Sequence, residues 1–116
     1  MKSISTARST VIMSAAALAL LAGAARADDV TTLSVSLKDH HFTPAEPTAP
    51  ANTPIAIEVA NGDKTPAEFE SKTLRVEKVV AGGGKIIVKV RALPPGRYRF
   101  FDDYHEDVAV GFLVVK

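Results

Sequence analysis

Beyond about residue 30 the apolar positions recur at every second residue. Leu33, Val35 and Leu37 alternate with polar neighbours, and Ile55, Ile57 and Val59 do the same. A period of two belongs to a strand with one buried face, and the β-branched side chains that dominate these runs favour the same state. Leu74, Val76 and Val79 form the next apolar set, followed by a Gly82-Gly83-Gly84 turn and by Ile86, Val88 and Val90 on one face of a further strand. Pro94-Pro95-Gly96 presets the backbone angles of a turn, after which Tyr98 and Phe100 open the penultimate strand and Gly111 to Val115 form the last. The segment His41 to Thr53 carries Pro44, Pro47 and Pro50, which cannot donate to a ladder, so it is expected to be loop or irregular edge. No window has a convincing helical period. Roughly six or seven short strands in about 90 residues predict an all-β fold, a β-sandwich.

Leu93-Pro94-Pro95-Gly96-Arg97-Tyr98 leaves two alternatives open. It resembles the tyrosine corner of Greek-key proteins, in which a tyrosine hydroxyl bonds back to upstream backbone at a crossing between sheets. It also fits an ordinary turn followed by a strand tyrosine. Either way a strand starts at Tyr98.

The first 27 residues have a different character. Lys2 and Arg8 precede an apolar stretch from Val11 to Leu21, and Ala25-Arg26-Ala27 is a small-x-small cleavage pattern. These features predict a secretory signal peptide over residues 1–27 and an exported, periplasmic protein. The run of about 13 apolar or small residues is shorter than the roughly 20 that a spanning helix needs. The mature chain, 28–116, then holds 116 − 27 = 89 residues, enough for one small soluble domain. Removing Lys2, Arg8 and Arg26 changes the formal charge from +1 to 11 − 13 = −2, which does not suit a nucleic-acid binder.

The chain has no cysteine. An exported domain of this size often relies on disulfides, so stability here must come from core packing or a bound metal. Thiolate catalysis, iron–sulfur clusters and thiolate zinc sites are excluded. Any metal has to be held by nitrogen and oxygen.

Two segments carry a resemblance to cupredoxins: Asn61-Gly62-Asp63-Lys64-Thr65-Pro66-Ala67-Glu68-Phe69 and Tyr98-Arg99-Phe100-Phe101-Asp102-Asp103-Tyr104-His105. In that family the first histidine ligand follows an Asn-x-Asp-type turn. A cysteine, a second histidine and usually a methionine follow a Tyr-x-Phe-type strand. Laid over the pattern, Ala67 takes the place of the first histidine and Asp102 that of the cysteine, while His105 keeps the second histidine. No methionine lies in the loop to Gly111, where Val108 and Ala109 are nearest. The resemblance implies a Greek-key β-sandwich of cupredoxin type, but a blue-copper site rests on a copper–thiolate bond and cannot form without sulfur.

What remains near that pole is rich in oxygen. Glu68 and Glu70 flank Phe69, so on a strand both share one face, which either lines a site or meets water. Asp102, Asp103 and His105 lie together in the closing loop, and one turn brings Asp102 and His105 side by side. Glu106 and Asp107 read as a solvated loop tip. His40-His41, with Asp39, is a second histidine signal; it joins the site only if this turn lies at the same end of the sandwich as His105. Carboxylates with an imidazole suit Fe(II), Fe(III), Mn(II) or Zn(II), and also accept Cu(II).

A closer resemblance follows from Lys38-Asp39-His40-His41-Phe42-Thr43-Pro44, from Glu68-Phe69-Glu70-Ser71 with Glu77-Lys78-Val79-Val80, and from Phe100-Phe101-Asp102-Asp103-Tyr104-His105. Together they resemble the cysteine-free cupredoxin domains of bacterial iron-uptake systems, the EfeO-like and FtrB-like periplasmic components. That resemblance implies a metal site of Glu68, Glu70, Asp102, Asp103 and His105. Its cargo would be iron as Fe2+ or Fe3+, with or without Cu2+, either oxidised or delivered to an inner-membrane iron permease. Larger EfeO-like proteins add a helical domain after this unit, and functions of that domain are not expected from this sequence. Two other classes stay open, a periplasmic copper carrier using His40, His41 and His105, and a metal-free interaction domain.

Overall fold

The computed structural model of this chain describes residues 29–116, besides isolated positions 3, 5 and 7; the expected signal peptide, 1–27, falls almost wholly outside the described residues. The alternating segments form strands. β1 (Thr31–Lys38), β2 (His41–Thr43), β4 (Ile55–Asn61) and β7 (Lys85–Val90) make one sheet in the order β2-β1-β4-β7. β3 (Thr48–Ala49), β5 (Ala67–Ser71), β6 (Val76–Val80), β8 (Gly96–Asp102) and β9 (Val110–Val115) make the other in the order β3-β9-β8-β5-β6. Pairing is antiparallel except for β1 with β4 and β3 with β9. Among the described residues of the domain, the helical backbone is a 3-10 turn at Asp103–His105.

The period of two converts directly into a shared core. Val35 and Leu37 of β1, Ile55, Ile57 and Val59 of β4, and Val88 and Val90 of β7 are buried from one sheet. Ala67 and Phe69 of β5, Val80 of β6, Phe100 of β8 and Leu113 and Val115 of β9 meet them from the other. Phe42, Phe69 and Phe100 pack together, with Phe42 edge-on to Phe100 at 5.0 Å and Phe69 stacked on Phe100 at 5.1 Å between centroids. Such aromatic pairs add about 0.5–1.5 kcal/mol each beyond burial. This cluster underlies the pole at which β5 and β8 end.

The proline-rich segment is edge strand on both sheets, since β2 and β3 each occupy an outer position. β6 departs from expectation by one residue: Val80 is buried, whereas Val79 is 54% exposed on the outward face. The glycine run does not close a hairpin. β6 and β7 lie in different sheets, and Gly82 passes so close to Lys64 that a Cβ there would sit 2.0 Å from its carbonyl oxygen. The last crossing between the sheets, from β7 to β8, holds the tyrosine corner: Tyr98 donates its hydroxyl to the Pro94 carbonyl at 2.7 Å.

Candidate metal centre

Asp102 ends β8 and caps the 3-10 turn that follows. Its Oδ1 accepts from the backbone N–H of Glu68 at 2.9 Å and of Tyr104 at 3.0 Å, and its Oδ2 lies 3.0 Å from His105 Nδ1. The side chain is fully buried, and each of its two oxygens has a hydrogen-bonding partner, as a buried polar group requires. One turn of chain thus brings Asp102 and His105 together, as their spacing predicts.

His40 arrives from the β1–β2 turn. Asp39 and His40, its two central residues, have φ of 50° and 60°. Asp63 holds them there by accepting from the N–H of Asp39 at 2.7 Å and of His40 at 3.0 Å. Asp63 is in turn fixed by Asn61, whose buried amide accepts from the Asp63 N–H and donates to the Thr65 and Val80 carbonyls. The His40 N–H is the chief reason the Asp63 carboxyl lies below its ordinary value, with the Asp39 N–H and the nearby His40 and Lys38 side chains adding to it against the opposing effect of burial. The His40 ring stacks on His105 with centroids 3.7 Å apart and planes inclined by 20°. His41, the next residue, is exposed at the start of β2.

Glu68 and Glu70 lie on the outward face of β5, with Phe69 turned into the core. Glu77 of β6 is the cross-strand partner of Glu70, and Asp103 reaches the same face from the 3-10 turn. Partial desolvation first, then Glu77, Asp103 and Glu70, push the Glu68 carboxyl up; desolvation first, then Asp103 and Glu77, do the same to Glu70. Desolvation and Glu68 also raise the Tyr104 phenol.

Among the described residues, two groups of three side chains offer ligating atoms within 4.8 Å of one another: His40, Asp102 and His105, and Glu68, Glu70 and Asp103. The five residues expected from the sequence therefore fall into both groups rather than one. Asp102 and His105 stand with His40, and the remaining three carboxylates stand together. The groups adjoin through Asp102, which accepts from the Glu68 N–H. Glu106 is exposed and pairs with Arg99. Spacing alone gave no sign of Asp63 or Glu77; the Asn61-x-Asp63 turn and the cross-strand register opposite Glu70 are the signals that locate them.

The arrangement can be compared with known proteins. The family model for the cupredoxin-like domain matches residues 10–115. This chain belongs to the cupredoxin-like domain family. It is 38% identical over 89 residues, 77% of this chain and 71% of the other, to an uncharacterized protein of Rickettsia prowazekii (strain Madrid E). The metal binding domain of the Cu(I) exporting P-type ATPase CopA of Streptococcus pneumoniae superposes with a TM-score of 0.66 at 12% identity, over 77% of this chain and 88% of that one. Auracyanin A, a blue copper protein of Chloroflexus aurantiacus, gives 0.62 at 14% identity, over 75% and 99%. At such identities the likeness to these structures is one of fold.

A thiolate copper centre does not fit this cupredoxin-like domain. Ala67, where the sequence resemblance expects the first histidine, is a buried side chain without a ligating atom, and Asp102, where it expects the cysteine, supplies oxygen. The donors present are imidazole nitrogen and carboxylate oxygen, which suit borderline and hard ions.

Proposed function

We propose that this cupredoxin-like protein is a periplasmic metal-binding protein of ferrous-iron uptake. It takes iron where Glu68, Glu70 and Asp103 converge, beside Asp102 and His105, and passes it to an inner-membrane permease, either as Fe(II) or as Fe(III) once its electron has gone to an external acceptor. The observation that carries this reading is the convergence of Glu68, Glu70 and Asp103, ligand atoms within 4.8 Å, on a face where desolvation first, and neighbouring carboxylates next, raise the Glu68 and Glu70 carboxyls. A bound cation offsets the repulsion among these carboxylates, and their oxygens suit hard Fe(III) and borderline Fe(II). The predicted export signal and the resemblance of Glu68-Phe69-Glu70-Ser71 and Phe100-Phe101-Asp102-Asp103-Tyr104-His105 to iron-uptake cupredoxins support the cellular setting.

Anaerobic titration of the purified protein with Fe(II) and, separately, Cu(II) tests the proposal. Fe(II) is expected to bind at micromolar concentration and to weaken at least tenfold in the Glu68→Gln/Glu70→Gln variant. Absence of Fe(II) binding, or binding indifferent to both glutamates, refutes it. A copper carrier is the second reading, favoured by the stacking of His40 on His105. It predicts Cu(II) binding without Fe(II) binding.

A further inference from the structure

We propose that His40 replaces, in space, the imidazole ligand that Ala67 no longer supplies, so that His40, Asp102 and His105 form a two-nitrogen, one-oxygen site for a borderline divalent ion, separate from the carboxylate group. This rests on the metal-binding reading above but assigns a different ion class to a different set of donors. The distances suit an ion. Bonds of about 2.0–2.2 Å meeting at a right angle place neighbouring donor atoms about 3 Å apart, and opposite donors about 4.2 Å apart. His105 Nδ1 and Asp102 Oδ2 are separated by 3.0 Å, and one nitrogen of His40 completes a triad spanning no more than 4.8 Å. An ion entering there replaces the contact between His105 Nδ1 and Asp102 Oδ2, while Asp102 Oδ1 keeps its two backbone donors.

The backbone at His40 gives this assignment a second support. A two-residue hairpin turn with φ positive at both centres favours Asn-Gly, because glycine meets no steric cost there. Position 40 instead carries an imidazole at φ 60°, and Asp63 holds the strained pair through both carboxylate oxygens. Asp63 Oδ2 lies 3.6 Å from His40 Nδ1, beyond hydrogen-bonding distance, so Asp63 acts on His40 through the turn; it is a positioning residue. Half-exposed rings above a buried carboxylate leave an entry path from solvent. Imidazole pairs with one carboxylate suit Cu(II) and Zn(II), and Cu(II) binds more tightly at equal geometry.

Cu(II) titration of the purified protein, followed by pulsed electron paramagnetic resonance, tests the site. The chain has only three histidines, so the spectrum assigns them. Wild type is expected to show couplings from two imidazole rings. His40→Asn, chosen because asparagine tolerates the left-handed backbone, should retain one coupling and bind Cu(II) at least tenfold more weakly. His105→Asn should do the same, and His41→Asn should retain both couplings and full affinity. Glu68→Gln/Glu70→Gln should leave the Cu(II) spectrum unchanged while lowering Fe(II) binding, so failure of the iron reading is seen separately from failure of this one. The proposal is overturned if wild type shows fewer than two imidazoles, if both survive in His40→Asn, or if the double glutamine variant loses Cu(II) as His40→Asn does.

Discussion

Replacing Asp102 by alanine removes one acceptor that serves three donors. The Glu68 and Tyr104 N–H groups, bonded to Oδ1 at 2.9 and 3.0 Å, lose their partner, and His105 Nδ1 loses its link to Oδ2. A buried donor left unpaired costs about 1–3 kcal/mol. Both N–H groups sit at a partly buried position where some water reaches, so the low half of that range applies to each, and the lost link to His105 adds to it. The expected destabilisation of the metal-free protein is about 2–4 kcal/mol, equivalent in a domain of this size to a Tm lower by on the order of 10–25 °C. Asp102→Asn keeps an oxygen for the two N–H groups and is expected to cost less than about 1.5 kcal/mol. Urea unfolding with chelator present, read by circular dichroism, separates the cases. An alanine variant within about 0.5 kcal/mol of wild type, or an asparagine variant as destabilised as the alanine one, refutes the structural role of this carboxylate.

The crowded glutamates give a pH dependence of definite sign. Their folded-state values lie above the ordinary 4.5, so at pH above 4.5 the folded protein binds more protons than the unfolded chain, and their contribution to stability grows as pH falls from neutrality through the raised values toward 4.5. Chelated Glu68→Gln/Glu70→Gln protein should show a weaker rise in unfolding free energy over that window than wild type; an unchanged pH profile contradicts the crowding. Gly111→Ala places a Cβ 2.4 Å from Phe100 Cζ and 2.8 Å from the Ala45 carbonyl oxygen, against the aromatic cluster. It should destabilise by about 1–3 kcal/mol in the same urea assay, and a neutral result would mean the core yields there more than its packing implies.

How much of this was legible in the sequence depended on the range of the interaction. The buried sets Val35 and Leu37, Ile55 to Val59, and Val88 and Val90 follow from alternation alone, because a strand's two faces are fixed by its own residues. β6 was misplaced by one position because its edge location leaves Glu77, Lys78 and Val79 all exposed, so the polar pattern does not report which face is inward. The Asp102 to His105 contact was legible for the same local reason, since three residues and one turn close it. The partition of donors was not. It depends on where the β1–β2 turn lies relative to the closing loop, which Asp63 decides through contacts more than twenty residues away in sequence.

That partition alters the meaning of Asp102, the aspartate that the sequence resemblance sets in the cysteine's place. In a single five-residue site Asp102 is one oxygen among four carboxylates, and its loss weakens binding of a hard ion by a share. In the geometry found, Oδ1 is committed to the backbone of β5 and of the 3-10 turn, and Oδ2 faces His105. Asp102 therefore joins two groups without donating equally to both: it fixes the strand that carries Glu68 and Glu70 while directing His105 toward His40. Substituting it should disturb the imidazole pair through a lost ligand and the glutamate face through a lost hydrogen bond. The two effects differ in how they respond to Asp102→Asn. The backbone acceptor survives that change and the anionic donor does not, so Fe(II) binding at the glutamates should be retained while Cu(II) binding falls. Equal loss of both ions in the asparagine variant would show that the carboxylates and imidazoles act as one site after all.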